Sequence, residues 1–142
     1  MRILALDVGT KTIGVAVSDE LQITSNGVKT IQRKSRKNDL NELEEIINEY
    51  KPSEIVVGLP YREDGSLSQR GKDIEEFSVK IGNRFKLPIV YVDESFSTVF
   101  AENALIEADL SRKKRKKVID KMAAVVILQS YLDTREQTKK EY

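Results

Sequence analysis

The apolar residues change their spacing along the chain, and each change marks an element. Ile3-Leu4-Ala5-Leu6 and Ile13-Gly14-Val15-Ala16-Val17 are β-rich runs on either side of a turn containing Gly9, Thr10 and Lys11. That pattern predicts a strand, a tight turn and a returning strand. Strand character continues from Ile23 to Ile31 and completes an antiparallel meander, with Asn26-Gly27 marking a bulge or kink. From Lys37 to Tyr50 the period lengthens. Leu40, Leu43, Ile46, Ile47 and Tyr50 recur at three- and four-residue spacing, the mark of an amphipathic helix capped by Asn38 or Asp39 and stopped by Lys51-Pro52-Ser53. Glu54-Ile55-Val56-Val57-Gly58-Leu59 has no polar alternation, which predicts a central parallel strand buried on both faces.

Pro60 to Ser68 is rich in turn formers, with Asp64-Gly65 at its tip. It follows a parallel strand, at the sheet end where open α/β folds bind ligands. A second helix is expected from Ser68 to Phe85, burying Ile74, Phe77, Val79 and Ile81 in part. Leu87 to Val92 reads as another buried strand, ending in Asp93-Glu94. Further helices are expected over Thr98–Ala108 and Lys117–Asp133, with a frayed polar tail from Thr134 to Tyr142. The order is three strands, helix, strand, helix, strand, helix, helix. This is an α/β fold in which parallel strands extend an antiparallel meander through helical crossovers.

Composition narrows the chemistry. A chain of 142 residues, 39% hydrophobic and 33% charged, fits one globular domain spanning 1–142 with a heavily charged surface. No apolar run is long enough for a bilayer, and Met1-Arg2 leads straight into strand without a secretory signature, so no membrane partner and a cytoplasmic location are expected. The chain contains no Cys and no His. Thiolate and imidazole chemistry are thereby excluded, leaving carboxylates, hydroxyls, Lys, Tyr or a bound metal.

The net charge of +1 conceals two basic clusters, Arg33-Lys34-Ser35-Arg36-Lys37 and Arg112-Lys113-Lys114-Arg115-Lys116-Lys117. Runs of this density form solvated loops or phosphate-binding surfaces, and six consecutive cations exceed what solubility requires. Asp7 closes an apolar strand, where it either accepts the turn amides of Gly9 and Thr10 or meets a metal or phosphate group. Asp93 and Glu94 end the last strand; adjacent strand residues face opposite sides, so only one of them enters any given pocket. Asp120 shares a helical stripe with Ala123, Ala124, Ile127, Leu128 and Tyr131, which would turn it toward the sheet rather than leave it beside the helix dipole. Acids gathered at strand ends cannot all ionise without a cation. With oxygen ligands alone, Mg²⁺ or Mn²⁺ is the natural partner.

Four segments then resemble a known family in its own order. Asp7-Val8-Gly9-Thr10-Lys11 with Ile13-Gly14-Val15-Ala16-Val17-Ser18-Asp19 is similar to the opening motif of the YqgF-type proteins, described as Holliday junction resolvases or pre-16S rRNA nucleases. Val57-Gly58-Leu59-Pro60 with Asp64-Gly65 resembles their second motif, Asp93-Glu94-Ser95-Phe96-Ser97-Thr98 the third, and Asp120 through Leu132 the fourth. The resemblance covers nearly the whole chain. It implies a ribonuclease H-like fold and a divalent-metal nuclease site whose catalytic and metal-binding acids are Asp7, Glu94 and Asp120.

Two positions depart from the family pattern: Ser95 stands where Arg commonly follows Asp-Glu, and Thr12 where Arg follows Lys in the turn. Substrate grip is therefore expected to rest on Lys11, Arg62, Arg70 and the Arg112–Lys117 run. The expected reaction is metal-assisted phosphodiester hydrolysis, in the 5′ processing of precursor 16S rRNA or in cleavage of branched DNA, the latter favouring a homodimer. A non-catalytic RNA-binding assembly factor is the rival that Ser95 favours. A phosphotransferase of the actin and sugar-kinase type would need a second phosphate loop in a second domain, which 142 residues do not supply.

Overall fold

The computed structural model describes residues 1–94 and 122–135. Five strands, β1 (Ile3–Val8), β2 (Thr12–Ser18), β3 (Ser25–Gln32), β4 (Glu54–Leu59) and β5 (Ile89–Asp93), form one mixed sheet in the order β3-β2-β1-β4-β5. Helices α1 (Arg36–Tyr50) and α2 (Gln69–Phe85) follow β3 and β4. A third helix, α3, is described over 122–135. The expected helix at Thr98–Ala108, the start of the last helix, Ser95, Asp120 and the Arg112–Lys117 run lie outside the described residues.

β1 is central because both its edges are used: it pairs antiparallel with β2 and parallel with β4. Strand alternation then sorts its side chains into two layers. Leu4, Leu6 and Val8 join Ile13, Val15, Ile55 and Val57 under Leu43 and Ile46 of α1 and Ile74, Phe77 and Ile81 of α2. Ile3 and Ala5 join Ala16 and Val56 against Ala124, Ile127, Leu128 and Leu132 of α3. The fold is thus a three-layer sandwich with α1 and α2 on one face and α3 on the other.

α3 has a fixed direction. Arg135 pairs with Glu54 at the start of β4 (2.9 Å), Tyr131 hydrogen-bonds the same carboxylate, and Gln129 accepts from the Ser25 N–H at the start of β3. Farther up, Val125 lies over Gly27 and Ile127 over Gly58. The helix therefore runs antiparallel to β1 and β4, its N-terminal end toward their carboxyl ends.

Several expectations are corrected in detail. α1 starts at Arg36 and is capped by Ser35, whose side chain accepts from Asn38 N–H, so neither Asn38 nor Asp39 is the cap. β3 starts at Ser25, leaving Ile23 in an exposed loop. Its bulge falls beside the expected Asn26-Gly27, because Val15 pairs with Lys29 while Ala16 pairs with Gly27, leaving Val28 extra. β5 is only half-buried, since it is the edge of the described sheet, and Val79 is exposed on the outer side of α2. Thr134 and Arg135 continue α3 rather than fraying, held by the bond from Thr134 to Ser130 O and by the Glu54 pair.

The N-terminus of β1 is secured by a buried side chain. Ser18 is fully buried, accepts the Ile3 N–H at 2.8 Å and donates to Asp19 O. Ser18→Ala would strand that amide, so chemical denaturation should show a loss of about 1–3 kcal/mol with an unchanged m-value.

Candidate active site

The carboxyl ends of β1, β4 and β5 converge at one end of the sheet. Alternation puts Asp7 on the α3 face with Ile3 and Ala5. In β5, Val90 and Val92 pack toward α3 while Ile89 and Tyr91 pack toward α1 and α2. Continuing that alternation sends Glu94, and not Asp93, to the face that carries Asp7.

β4 lies between these two acids in the sheet. Neighbouring strands are about 4.8 Å apart, so β1 and β5 are separated by roughly twice that distance. The carboxyls meet only because the intervening residue is small. A Cβ on Gly58 would lie 2.7 Å from Ile127 Cδ1 and 3.4 Å from Glu94 Cβ. Gly58 thus leaves the channel through which Glu94 reaches Asp7. The single small residue in Val57-Gly58-Leu59 carried this signal, and its role was legible only once the strand order was known.

The electrostatics confirm the approach. The Glu94 carboxyl is pushed up to about 9, chiefly by burial, then by its hydrogen bond to Asp7 and the negative charge there, with Asp93 adding to the shift. The Arg70 guanidinium acts in the opposite direction. Asp7 Oδ1 is buried without a hydrogen-bond partner. The turn amides do not supply one: Gly9 N–H donates to Thr12 O at 2.8 Å, so the turn-capping reading of Asp7 fails. Gly9 is required there, since a Cβ would sit 2.9 Å from that carbonyl oxygen. A protonated Glu94 hydrogen-bonded to Asp7, beside an unused carboxylate oxygen, makes a site suited to a hard cation. Among the described residues no three acids group closely enough to hold a metal; Asp120, the expected third, lies outside them.

Three of the expected cations can be placed. Lys11 is exposed in the turn after β1, Arg62 in the loop after β4, and Arg70 in the first turn of α2, all at the acid end of the sheet. The Arg112–Lys117 run lies outside the described residues. The other basic cluster is partly structural. Arg33 donates to Gly9 O (2.7 Å) and Asp39 Oδ2 (3.0 Å), lies over the Phe77 ring, and its own N–H reaches Lys11 O. It clamps the β1–β2 turn to α1.

Comparison with known proteins bears on this arrangement. The family model described as "RuvX: Holliday junction resolvase" matches residues 1–134. The chain belongs to that family. It is 54% identical over 137 residues to a Geobacillus kaustophilus protein named "Putative pre-16S rRNA nuclease", covering 95% of this chain and 99% of that one. A Clostridium tetani protein of the same name is 52% identical over 134 residues, covering 94% and 97%. Among solved structures, Thermus thermophilus RuvC bound to a Holliday junction substrate superposes with a TM-score of 0.63 at 10% identity, covering 97% of both chains. The fowlpox virus Holliday junction resolvase gives 0.53 at 14% identity, covering 94% of this chain and 99% of that one. These two likenesses place the RuvX chain in the ribonuclease H-like fold.

A carboxyl raised in this way gives stability a definite pH dependence. Between the ordinary Glu value of 4.5 and about 9, the folded state holds a proton that the unfolded state has released. Stability without divalent ions should therefore fall as pH rises through that window. Melting temperatures from pH 5 to 9 in a chelating buffer should show the decline, and Glu94→Gln should flatten it.

Proposed function

We propose that this RuvX protein is a metal-dependent endonuclease acting on structured nucleic acid, and that its substrate is the 5′ region of precursor 16S rRNA. The observation that carries the metal is the buried, unpartnered Asp7 Oδ1 beside the protonated Glu94. An all-oxygen donor pair of this kind fits Mg²⁺ or Mn²⁺. Asp7 and Glu94 would hold the ion, with Asp120 as the third acid. The N-terminal end of α3 points toward the acid end of the sheet, which supports its place there. Such an ion supplies activation of water and stabilisation of the leaving oxygen.

The chain's own groups do the rest. Glu94 would have to release its proton to hold an ion, and Ile127 of α3 packs over Gly58 beside it. Lys11, Arg62, Arg70 and the 112–117 run hold the phosphate backbone, making binding strongly salt-dependent. Relatives near 50% identity that carry the rRNA nuclease name support the RNA substrate, and with it a role in ribosome biogenesis in the cytoplasm. The family description supports a second reading, cleavage of branched DNA by a two-fold dimer.

The test is cleavage of matched precursor-rRNA and four-way-junction oligonucleotides with Mg²⁺ or Mn²⁺, beside an Asp7→Asn control. Asp7→Asn should lower cleavage by about a thousand-fold or more, since a catalytic ion contributes several kcal/mol. Its substrate affinity should stay within about three-fold of wild type, because the phosphate contacts remain. Equal cleavage by the variant would remove the acid pair from the mechanism.

A further inference from the structure

On the opposite face of the β1–β2 turn from Asp7 lies a cleft of about 590 Å³, within the range of small-ligand sites. It opens between the N-terminal ends of α1 and α2, where helix dipoles favour anions. Lys34, Arg36 and Arg70 line it, with Asp73 the one acid beside them on α2. Val8, Ile74 and Phe77 lie beneath it, each almost fully buried, and the half-buried Arg33 guanidinium covers the Phe77 ring at 5.1 Å, so that guanidinium forms the face turned to the cleft. Asp39 also lines it. That carboxylate is only 1% exposed; Oδ2 accepts from Arg33, and Oδ1 is buried with no partner at all.

A buried carboxylate oxygen without a donor is costly, and bulk anions do not relieve it. An occupant must therefore bring an anion for the cations, a flat face to lie against the Arg33 guanidinium, and an N–H donor for Oδ1. We infer that this cleft is a nucleotide subsite, in which Arg36 and Arg70 hold a phosphate and Asp39 Oδ1 accepts an N–H from the base. The assignment rests on the nucleic-acid substrate proposed above and adds a base-reading element to it. Arg70 links the two places, since it lines the cleft and its charge acts on Glu94. A strand bound at the acids crosses the Gly9-Thr10 turn and leaves one nucleotide in the cleft. Asp39 is here a specificity residue, remote from the reacting phosphate.

The experiment is an NMR titration of the full-length protein without metal, using 5′-AMP, 5′-GMP, purine riboside 5′-monophosphate and inorganic phosphate. AMP and GMP should shift the amides of residues 8–10 and 33–39. Purine riboside monophosphate has no N–H on its base and should bind about ten-fold more weakly, the worth of one hydrogen bond to a charged group. Inorganic phosphate should bind more weakly still. Arg36→Ala should weaken all four, whereas Asp39→Asn should erase the preference for AMP over its donor-free analogue. Because the analogue comparison uses wild type, it holds even if Asp39→Asn misfolds. Equal affinity for AMP and the analogue, phosphate binding as tight as AMP, or shifts confined to other residues would overturn the subsite. If these shifts appear but the cleavage panel shows no activity, the nuclease reading falls and the subsite stands.

Discussion

Everything at the acid end of this sheet depends on two carboxyl groups being pressed together across an intervening strand. Left to themselves, Asp7 and Glu94 would separate into solvent. The sheet order forbids that, because β4 fixes β1 and β5 on either side of it and α3 closes the face above. Gly58 is the enabling residue: it removes the side chain that would otherwise stand between the acids. The cost appears as a carboxyl raised to about 9 and a buried oxygen without a partner. Such strain persists only where the surrounding structure over-determines it, as β1 and β4 do here, each buried at every position but one.

The frame itself was legible in the chain. Unbroken apolar runs at Ile3–Leu6 and Ile55–Val57 require burial on two faces, and only a central position satisfies them. Three- and four-residue periodicity gave α1 and α2 nearly to the residue. What local patterns could not fix was which strands become edges. Ile89 to Val92 is as apolar as β4, yet β5 has a described neighbour on one side only and stays half-exposed. The choice of Glu94 over Asp93 likewise needed the alternation to be anchored by packing. Val90 and Val92 supply that anchor by meeting the α3 layer.

Asp39 teaches a sharper lesson. An acid in the first turn of a helix invites a dipole or capping explanation, and Ser35 occupies the cap instead. Asp39 shares its helical face with Leu43 and Ile46, four and seven residues on, and all three are buried. The same stripe argument by which Asp120 is expected to face the sheet applied to Asp39 with equal force. Its partner was hidden because Arg33 sits in a dense basic run whose obvious reading is a solvated surface. One cation of that run is instead withdrawn to tie the β1–β2 turn to α1, which leaves Lys34 and Arg36 to face the cleft.

The two unsatisfied oxygens call for different occupants, and their neighbours decide which. Asp7 Oδ1 stands beside a second carboxyl, so the local charge is negative and a metal cation relieves both groups at once. Asp39 Oδ1 stands beside Arg33, with Lys34, Arg36 and Arg70 around the same cleft, so a free cation is repelled and a neutral N–H donor carried by an anion is favoured. The Gly9-Thr10 turn separates the two, and Arg33 holds it rigid from one side through the Gly9 carbonyl. A phosphodiester strand lying over that turn can present a phosphate to the acids and a base to the cleft. Rigidity of the turn is therefore what would couple recognition of a base to the position of the bond being cut.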